Sequence, residues 1–511
     1  MPHGRSQKSR RRVNRLLLAA PLLALASISP FAAAQNAPAA SRSDDAPAQR
    51  RPNILIIVAD DLGYQDVGFN GAATPTPNID RIARSGMVLD HFYASALCSP
   101  SRAGLLTGRY PHRYGIMGDT ITPGSDFGLD PQEQTIAQLL GNAGYSRRAF
   151  LGKWHLGHRA PAFHPMRFGF TSFYGHYNGA IDYFTHAREG EVDWHRDRTP
   201  SGDQGYSTDL LSDEAVRLIR TPAKQDGSPW MMWLAYNAPH GPLQATEQDL
   251  AAVGFDPAKP RFGEERANAR EGGRYGIMGY GNTRRQTTLA MIHGMDRGIG
   301  RILDALAQTG QLDNTLILFT SDNGGPRGAA DNGPLRGWKF LHYEGGVRVA
   351  AAMSWPAGLK PRARADIGDV SYVDILPTVA RLAGTHSERT LDGRDVSDAL
   401  LSGKPLGDRT LFMGEDYRVA AAEGERGPTD PEALRGRAAA AIDGKWKLVG
   451  GELYDLDADP YEKQDVAAQH PDIVARIEKR VADYVALRRV PRTRMNATHL
   501  PPLPLWELPA K

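Results

Sequence analysis

The sequence predicts an α/β protein: a large mixed, mostly parallel sheet sandwiched by helices, followed by a smaller C-terminal α+β domain with an antiparallel sheet. Three observations carry this reading. Short, almost wholly apolar β-branched runs recur, as in strands buried on both faces of a parallel sheet. Amphipathic helical patterns lie between them. Beyond Leu406 the texture changes to short strand-like pieces and one helix. The 511 residues provide material for two or three domains. With 41% hydrophobic and 23% charged residues the chain is globular, which excludes wholesale disorder, a collagen-like repeat and a multi-span membrane protein. Its 54 glycines and 36 prolines favour a loop-rich α/β fold over a helical bundle.

Taken in order, residues 1–34 read as a secretory signal peptide. Arg5, Lys8, Arg10, Arg11, Arg12 and Arg15 precede the apolar run Leu16 to Ile28, and Ala32-Ala33-Ala34 supplies the small-residue cleavage pattern. A membrane anchor would need about twenty apolar residues, and this run is shorter and broken by Pro21. Ser9-Arg10-Arg11-Arg12-Val13 loosely matches a twin-arginine export signal. The mature chain is therefore expected to be exported, periplasmic or secreted, without a membrane span. The basic residues of 1–34 outnumber the net charge of +3, so the remainder is slightly acidic and bulk-charge binding of nucleic acid is excluded. Residues 35–51 read as a flexible leader.

The first strand is expected over Asn53 to Val58 and ends in Asp60-Asp61. Trp230 to Leu234 runs likewise into Asn237-Ala238-Pro239-His240, and Thr315 to Phe319 into Ser321-Asp322-Asn323-Gly324-Gly325. Polar, Gly-rich loops at such strand ends belong to the carboxyl edge of an open sheet, where ligands bind. Helices are expected over Thr135 to Leu140, Leu210 to Ile219 and Thr288 to Leu306, the last from Met291, Met295, Ile299, Ile302 and Leu306 at helical spacing. Residues 52–405 thus form the larger α/β domain. Residues 406–489 form the smaller domain, with strands at Arg409 to Phe412, Lys445 to Val449 and Tyr454 to Leu456 and a helix from Ile473 to Leu487. A Pro-rich tail occupies 490–511 and holds the sequon Asn496-Ala497-Thr498.

The single cysteine excludes an internal disulfide and a thiolate zinc cluster. It stands in Leu97-Cys98-Ser99-Pro100-Ser101-Arg102-Ala103-Gly104-Leu105-Leu106-Thr107-Gly108-Arg109. The stretch after Pro100 reads as a helix start, so Cys98 lies near a helix N-terminus that favours an anionic ligand, and Arg102 adds a full charge. A lone cysteine is by default a small buried hydrophobe. Here the neighbours are polar and basic, and an exposed thiol is a liability in an oxidising compartment.

Four further groups could carry chemistry. Asp60-Asp61 and Asp322-Asn323 offer hard oxygen donors at two strand ends, which suit Ca²⁺ or Mg²⁺ better than Zn²⁺; either pair alone could equally cap a helix or make a turn. Gly324-Gly325 would let the backbone approach closely. Lys153 and His155 in Gly152-Lys153-Trp154-His155-Leu156-Gly157 lie at i and i+2 and share one side of an extended segment, although a lone Lys-x-His is more often a solvated surface. His240, between Pro239 and Gly241-Pro242, follows a buried strand. Lys339 in Arg336-Gly337-Trp338-Lys339 is by itself an ordinary surface lysine. His293 and Asp296 read as solvated or capping residues, the Lys360 to Arg364 run as a solvated loop, and His176, His186 and His195 as aromatic-flanked loop residues that could line a substrate rim.

Cys98-Ser99-Pro100-Ser101-Arg102 followed by Leu105-Leu106-Thr107-Gly108-Arg109 resembles the signature of the type I, formylglycine-dependent sulfatases of the alkaline phosphatase superfamily. The likeness runs from Arg51 to about Val466, with separated motifs in the family's order. The resemblance implies an alkaline phosphatase-like sheet and a sulfuric ester hydrolase whose Cys98 is oxidised to formylglycine by a dedicated maturation enzyme. It implies that Asp60, Asp61, Asp322, Asn323 and the modified Cys98 hold one metal, usually calcium, with magnesium the alternative. It also implies that Lys153 holds the sulfate and the nucleophile's oxygen, that His155 assists breakdown of the covalent sulfo-enzyme, and that His240 and Lys339 meet the leaving-group oxygen. The metal, Arg102, Lys153 and Lys339 would neutralise charge while His240 protonates the departing alcohol.

The same nucleophile could serve a phosphate or phosphonate ester hydrolase. A secreted sulfated-glycan-binding protein would instead leave Cys98 unmodified. A zinc phosphatase fits less well because the metal positions lack histidines. Gly179 to Phe184, Asp193-Trp194-His195 and Asn237 to Ala245 are similar to sulfatases of the arylsulfatase B kind. That likeness implies a sulfated carbohydrate, N-acetylgalactosamine-4-sulfate-like, ahead of an aryl sulfate.

Overall fold

The computed structural model describes residues 51–116, 120–123, 125–188, 190–221, 227–262, 278–414, 435–436 and 438–489. The signal-peptide reading, most of the leader and the Pro-rich tail with Asn496 lie outside the described residues. No helix among the described residues is long and apolar enough to cross a membrane.

The first strand, Asn53–Ala59, shows why the sheet is buried on both sides. Ile54, Ile56 and Val58 point into one apolar layer with the helices Cys98–Thr107, Ile136–Asn142 and Ile375–Leu382. Leu55, Ile57 and Ala59 point into the other, against the helices Pro77–Ser85, Ser207–Arg220 and Arg284–Gln308. Strand side chains alternate between faces, so a strand apolar at every position must have helices on each side.

Around it runs a ten-stranded sheet in the order Arg362–Arg364, Met87–Val88, Ala351–Ser354, Thr315–Ser321, Asn53–Ala59, Trp230–Ala235, Arg147–Lys153, Ser172–His176, His195–Arg196, Thr199–Pro200. From Thr315–Ser321 to Ser172–His176 every pairing is parallel. The adjoining strands on either side, Ala351–Ser354 and His195–Arg196, are antiparallel. Register brings the parallel ends level: Ala59 lies opposite Ser321, Val58 and Gly152 opposite Ala235, and Lys153 opposite His176. The loops after these strands therefore open onto one edge.

The long helix begins at Arg284, ahead of its apolar periodicity, because Thr283 accepts a bond from the Gln286 N–H and caps a polar first turn. Met291, Met295, Ile299, Ile302 and Leu306 are all buried, as the spacing predicts. Asp296 on this helix does cap: its carboxylate accepts from the N–H groups of Asn78 and Ile79 at the start of Pro77–Ser85. His293, expected to be solvated, pairs instead with the buried Asp249 at 2.9 Å. The Lys360 to Arg364 loop carries a short edge strand, Arg362–Arg364.

The second sheet is four-stranded and antiparallel, Thr410–Met413, Ala440–Asp443, Trp446–Val449, Glu452–Asp455, with the helix Pro471–Ala486 on one face. The Ala440–Asp443 strand is not legible in the sequence, because alanine is depleted in strands. The sheet's other face packs through Leu411, Met413, Ile442 and Val449 on Tyr93, Leu341, Tyr343 and Val347. Fully buried Lys447 crosses that joint, 2.8 Å from Glu344 and 2.8 Å from Glu462. Replacing Lys447 by Met strands two buried carboxylates, and breaking such a pair costs about 3–5 kcal/mol. Thermal unfolding of Lys447→Met is expected to move clearly downward, and adding Glu344→Gln and Glu462→Gln is expected to recover part of the loss.

Candidate active site

Cys98 is the first residue of the helix Cys98–Thr107, which begins ahead of the start expected after Pro100 because Pro100 sits within the first turn, where a missing N–H costs nothing. No side chain caps this helix, so its positive end faces the cysteine. Arg102 follows at i+4, on the same face. Both are buried, and the Cys98 Sγ lies 3.6 Å from an Asp60 oxygen. Burial pushes the Cys98 thiol up to about 12, outweighing Lys153 and Lys339. As a protonated thiol it is a poor nucleophile.

The level strand ends deliver the remaining groups. Asp60-Asp61 follow Ala59 and Asp322-Asn323 follow Ser321, as expected. Arg102 binds across them: Nε donates to Asp322 at 2.9 Å, Nη1 donates to the Lys153 carbonyl at 3.0 Å, and Nη2 lies 3.7 Å from Asp60. Lys153 Nζ donates to that same Asp60 oxygen, and the other oxygen faces Cys98 Sγ. Lys339 Nζ sits 2.6 and 2.9 Å from the two Asp61 oxygens, and His240 Nε2 lies 3.6 Å from Asp61. Burial pushes the Asp61 carboxyl up, but Lys339, then His240 and Lys153, outweigh it and hold the group below the ordinary carboxylate range. Burial and the neighbouring Asp60 raise Asp322 against Arg102.

Asp60, Asp61, Cys98 and His240 each offer a ligand atom, and these atoms all lie within 4.8 Å of one another. Asn323 borders the group: its Nδ2 donates to Asp61 at 2.8 Å while, among the described residues, its buried Oδ1 has no hydrogen-bond partner. An orphaned buried oxygen beside clustered carboxylates fits a hard cation. His240 was expected only at the leaving group; its place among the carboxylates removes the argument that histidine is absent from the metal positions. The approach at Gly324 is as close as expected, since a Cβ there would meet the Gly345 carbonyl oxygen at 2.0 Å.

His155 reaches the site by a different route from the extended segment expected. The strand ends at Lys153, and His155 turns through φ 53, with its N–H bonded to the Tyr177 carbonyl at 3.0 Å and its own carbonyl held by Ser99 Oγ at 2.9 Å. Its ring therefore owes its place to a left-handed turn, which i, i+2 alternation does not describe. Burial, then Lys153 and Arg102, hold the imidazole well below its ordinary pKa, and its Nδ1 has no hydrogen-bond partner. Burial, Lys339 and Lys153 likewise bring His240 down to about 3 despite Asp61. Its Nδ1 bonds the Gly241 carbonyl at 2.5 Å, which leaves the Nε2 lone pair toward Asp61.

The histidines expected at a rim are in the interior. His176, His186 and His195 are each at most 2% exposed, and the first two stack on Trp194. Asp193 accepts from the N–H groups of Tyr177 and Asn178 and pairs with His195 at 3.1 Å, bracing the loop beside His155. Tyr183, in a segment matched to substrate specificity, is 1% exposed, and its hydroxyl donates to the His240 carbonyl at 2.8 Å. Sequence reasoning missed these supports along with Ser99 and Gly179. A polar Ser beside the cysteine and a Gly directly after Asn178 were the available signals.

Three comparisons bear on this arrangement. The family model described as Sulfatase matches residues 52–385. The N-acetylgalactosamine-6-sulfatase of Mus musculus is 33% identical over 398 residues, covering 71% of this chain and 69% of the relative. Arylsulfatase A of Homo sapiens is 32% identical, covering 84% of this chain and 82% of the relative. Among solved structures, Ps i-CgsB in complex with k-i-k-neocarrahexaose superposes with a TM-score of 0.72 at 30% identity, covering 88% of this chain and 96% of that one.

Gly179 provides a sharp test of the His155 placement. A Cβ there would lie 2.4 Å from His155 Nε2 and 2.5 Å from Cε1. Gly179→Ala must displace the imidazole, and a misplacement of about 1 Å can cost about a hundredfold in rate. Turnover is expected to fall by at least about tenfold while the fold persists, checked by steady-state kinetics alongside circular dichroism.

Proposed function

The chain belongs to the sulfatase family and is a sulfuric ester hydrolase, and from that premise we propose that it releases sulfate from a sulfated carbohydrate through a formylglycine made from Cys98. The observation that carries the chemistry is the meeting of Cys98, Asp60, Asp61 and Asp322 with Arg102, Lys153 and Lys339 at one sheet edge. Support for a carbohydrate comes from the relative that acts on N-acetylgalactosamine-6-sulfate and from the neighbour holding a carrageenan oligosaccharide.

The hydrated formylglycine would supply one hydroxyl to attack sulfur and a second through which sulfate is expelled, a route no ordinary serine offers. A calcium ion held by Asp60, Asp61, Asp322, Asn323 and residue 98 would supply positive charge beside the sulfate oxygens. The protein's own cations already balance the named carboxylates, so an added divalent ion makes the pocket positive and suited to an anionic ester.

Lys153, anchored on Asp60, is placed to hold the sulfate and the nucleophile's oxygen, and Arg102 fixes the residue-98 helix against both strand ends. Lys339 and His240 flank Asp61 and together address the leaving-group oxygen. His240 is neutral before substrate arrives; a nearby sulfate anion raises its pKa and places a proton on Nε2 for the departing alcohol. Neutral His155, with its open Nδ1, accepts the proton released as sulfate leaves. Cys98 is 1% exposed, so the maturation enzyme would act before the fold closes. We further propose export, with the mature chain periplasmic or secreted.

Peptide mass spectrometry of protein from its native host is expected to show position 98 about 18 Da lighter than cysteine. Cys98→Ala is expected to lose at least about a thousandfold in turnover; full activity from a retained thiol overturns the nucleophile. Sulfate release measured across N-acetylgalactosamine 4- and 6-sulfates, carrageenan oligosaccharides and an aryl sulfate tests the substrate, and a preference for the aryl ester refutes the carbohydrate reading. Calcium added to chelator-treated protein at about a hundred times its dissociation constant is expected to stabilise the fold by about 2.7 kcal/mol. Thermal melts follow this, and the shift should vanish in Asp61→Asn.

A further inference from the structure

Among the described residues, the non-glycine positions with positive φ are Asp61, His155, His186, Asp197, Phe340 and Glu462. Asp61 and His155 are site residues, and both Asp and His tolerate the left-handed region comparatively well. Phe340, at φ 78, is different. A bulky aromatic there is a conformational outlier, and such outliers gather at ligand clamps. It directly follows Lys339.

Phe340 is 41% exposed while its neighbour Leu341 is buried in the joint with the second sheet. The backbone is nevertheless pinned. The Phe340 N–H donates to the Ala96 carbonyl at 3.0 Å, two residues ahead of Cys98, and the Lys339 N–H donates to the Gly325 carbonyl at 3.2 Å. The ring centroid lies 5.6 Å from the Lys339 ammonium. Lys339 and His240 flank the Asp61 carboxylate, and the His240 side chain retains 24% of its exposure. An ester oxygen addressed by those two groups would carry its own ring outward, past Lys339, along Phe340.

We propose that Phe340 is a specificity-determining residue, an aromatic platform on which the ring of the alcohol leaving group stacks, a sugar or aryl ring held against the outer side of Lys339. The left-handed turn at 340 turns this ring outward when an ordinary backbone would fold it elsewhere. Stacking supplies affinity for cyclic alcohols without touching the sulfate. This inference deepens the sulfate-ester reading and rests on it.

The test compares wild type, Phe340→Gly and Phe340→Tyr, each with residue 98 matured, on 4-nitrophenyl sulfate and on a sulfated monosaccharide, with inorganic sulfate as competitive inhibitor. Glycine suits φ 78 without strain, so Phe340→Gly is expected to melt no lower than wild type. Its KM for both ring-bearing esters is expected to rise about tenfold. Phe340→Tyr is expected to stay within about twofold of wild type, and the inhibition constant of inorganic sulfate should be unchanged in all three. A Phe340→Gly KM equal to that of wild type overturns the platform, as does a sulfate inhibition constant that rises in step with KM. A wild type that releases no sulfate from either ester sinks the sulfate-ester reading itself.

Discussion

A single buried guanidinium holds the catalytic edge in one frame. Arg102 is 2% exposed and touches the ends of separate strands at once: the Asp322 carboxylate after one, the Lys153 carbonyl closing another, and Asp60 after the central strand. Its planar fork suits this role in a way a lysine could not, because separate donors point in fixed, different directions. Sitting one turn after Cys98, it locks the residue-98 helix to the sheet. Taking these charges out of water is costly. The arrangement is tolerable because Asp60, Asp61 and Asp322 meet Arg102, Lys153 and Lys339 with short contacts, and no member faces an unmatched charge.

Around this frame the backbone is bent where function needs it. Asp61 and His155 both adopt positive φ; the Asp61 N–H is fastened by Asp322, and His155 is fastened on either side by Tyr177 and Ser99. Gly179 leaves room for the His155 ring, and Tyr183 holds the His240 loop by its carbonyl. The aromatic and histidine-rich strip from His176 to His195 is thus a buried brace for two site histidines. Its rings stack on Trp194 and on one another, which fixes geometry at small entropic cost.

The second sheet belongs to the same machinery. The loop carrying Lys339 and Phe340 continues into Leu341 and Tyr343, which pack on that sheet, and into Glu344, whose carboxylate is paired with Lys447. Arg336, just ahead of Lys339, stacks on Tyr343 at 3.9 Å and donates to the Tyr454 hydroxyl at 2.6 Å. The loop that carries Lys339 is therefore backed by the second sheet.

Local patterns in the sequence were enough for three of the five parallel strands, the carboxylates that end two of them, the helix at Cys98 and the antiparallel character of the C-terminal sheet. Apolar period and turn chemistry are properties of neighbouring residues, and here tertiary packing agrees with them. The family resemblance singled out Cys98, Arg102, Lys153, His155, His240 and Lys339, and the fold brings them to one edge of the large sheet. What the sequence could not decide was which strand ends stand side by side, since the order within a sheet depends on contacts between residues far apart in the chain. For the same reason it placed the buried His176, His186 and His195 at a rim and gave His155 an extended backbone, whereas Ala440–Asp443 was passed over because its alanines give no local strand signal. The backbone entering the left-handed position of Phe340 is held by Ala96 and Gly325, residues far away in the chain that only the fold brings close.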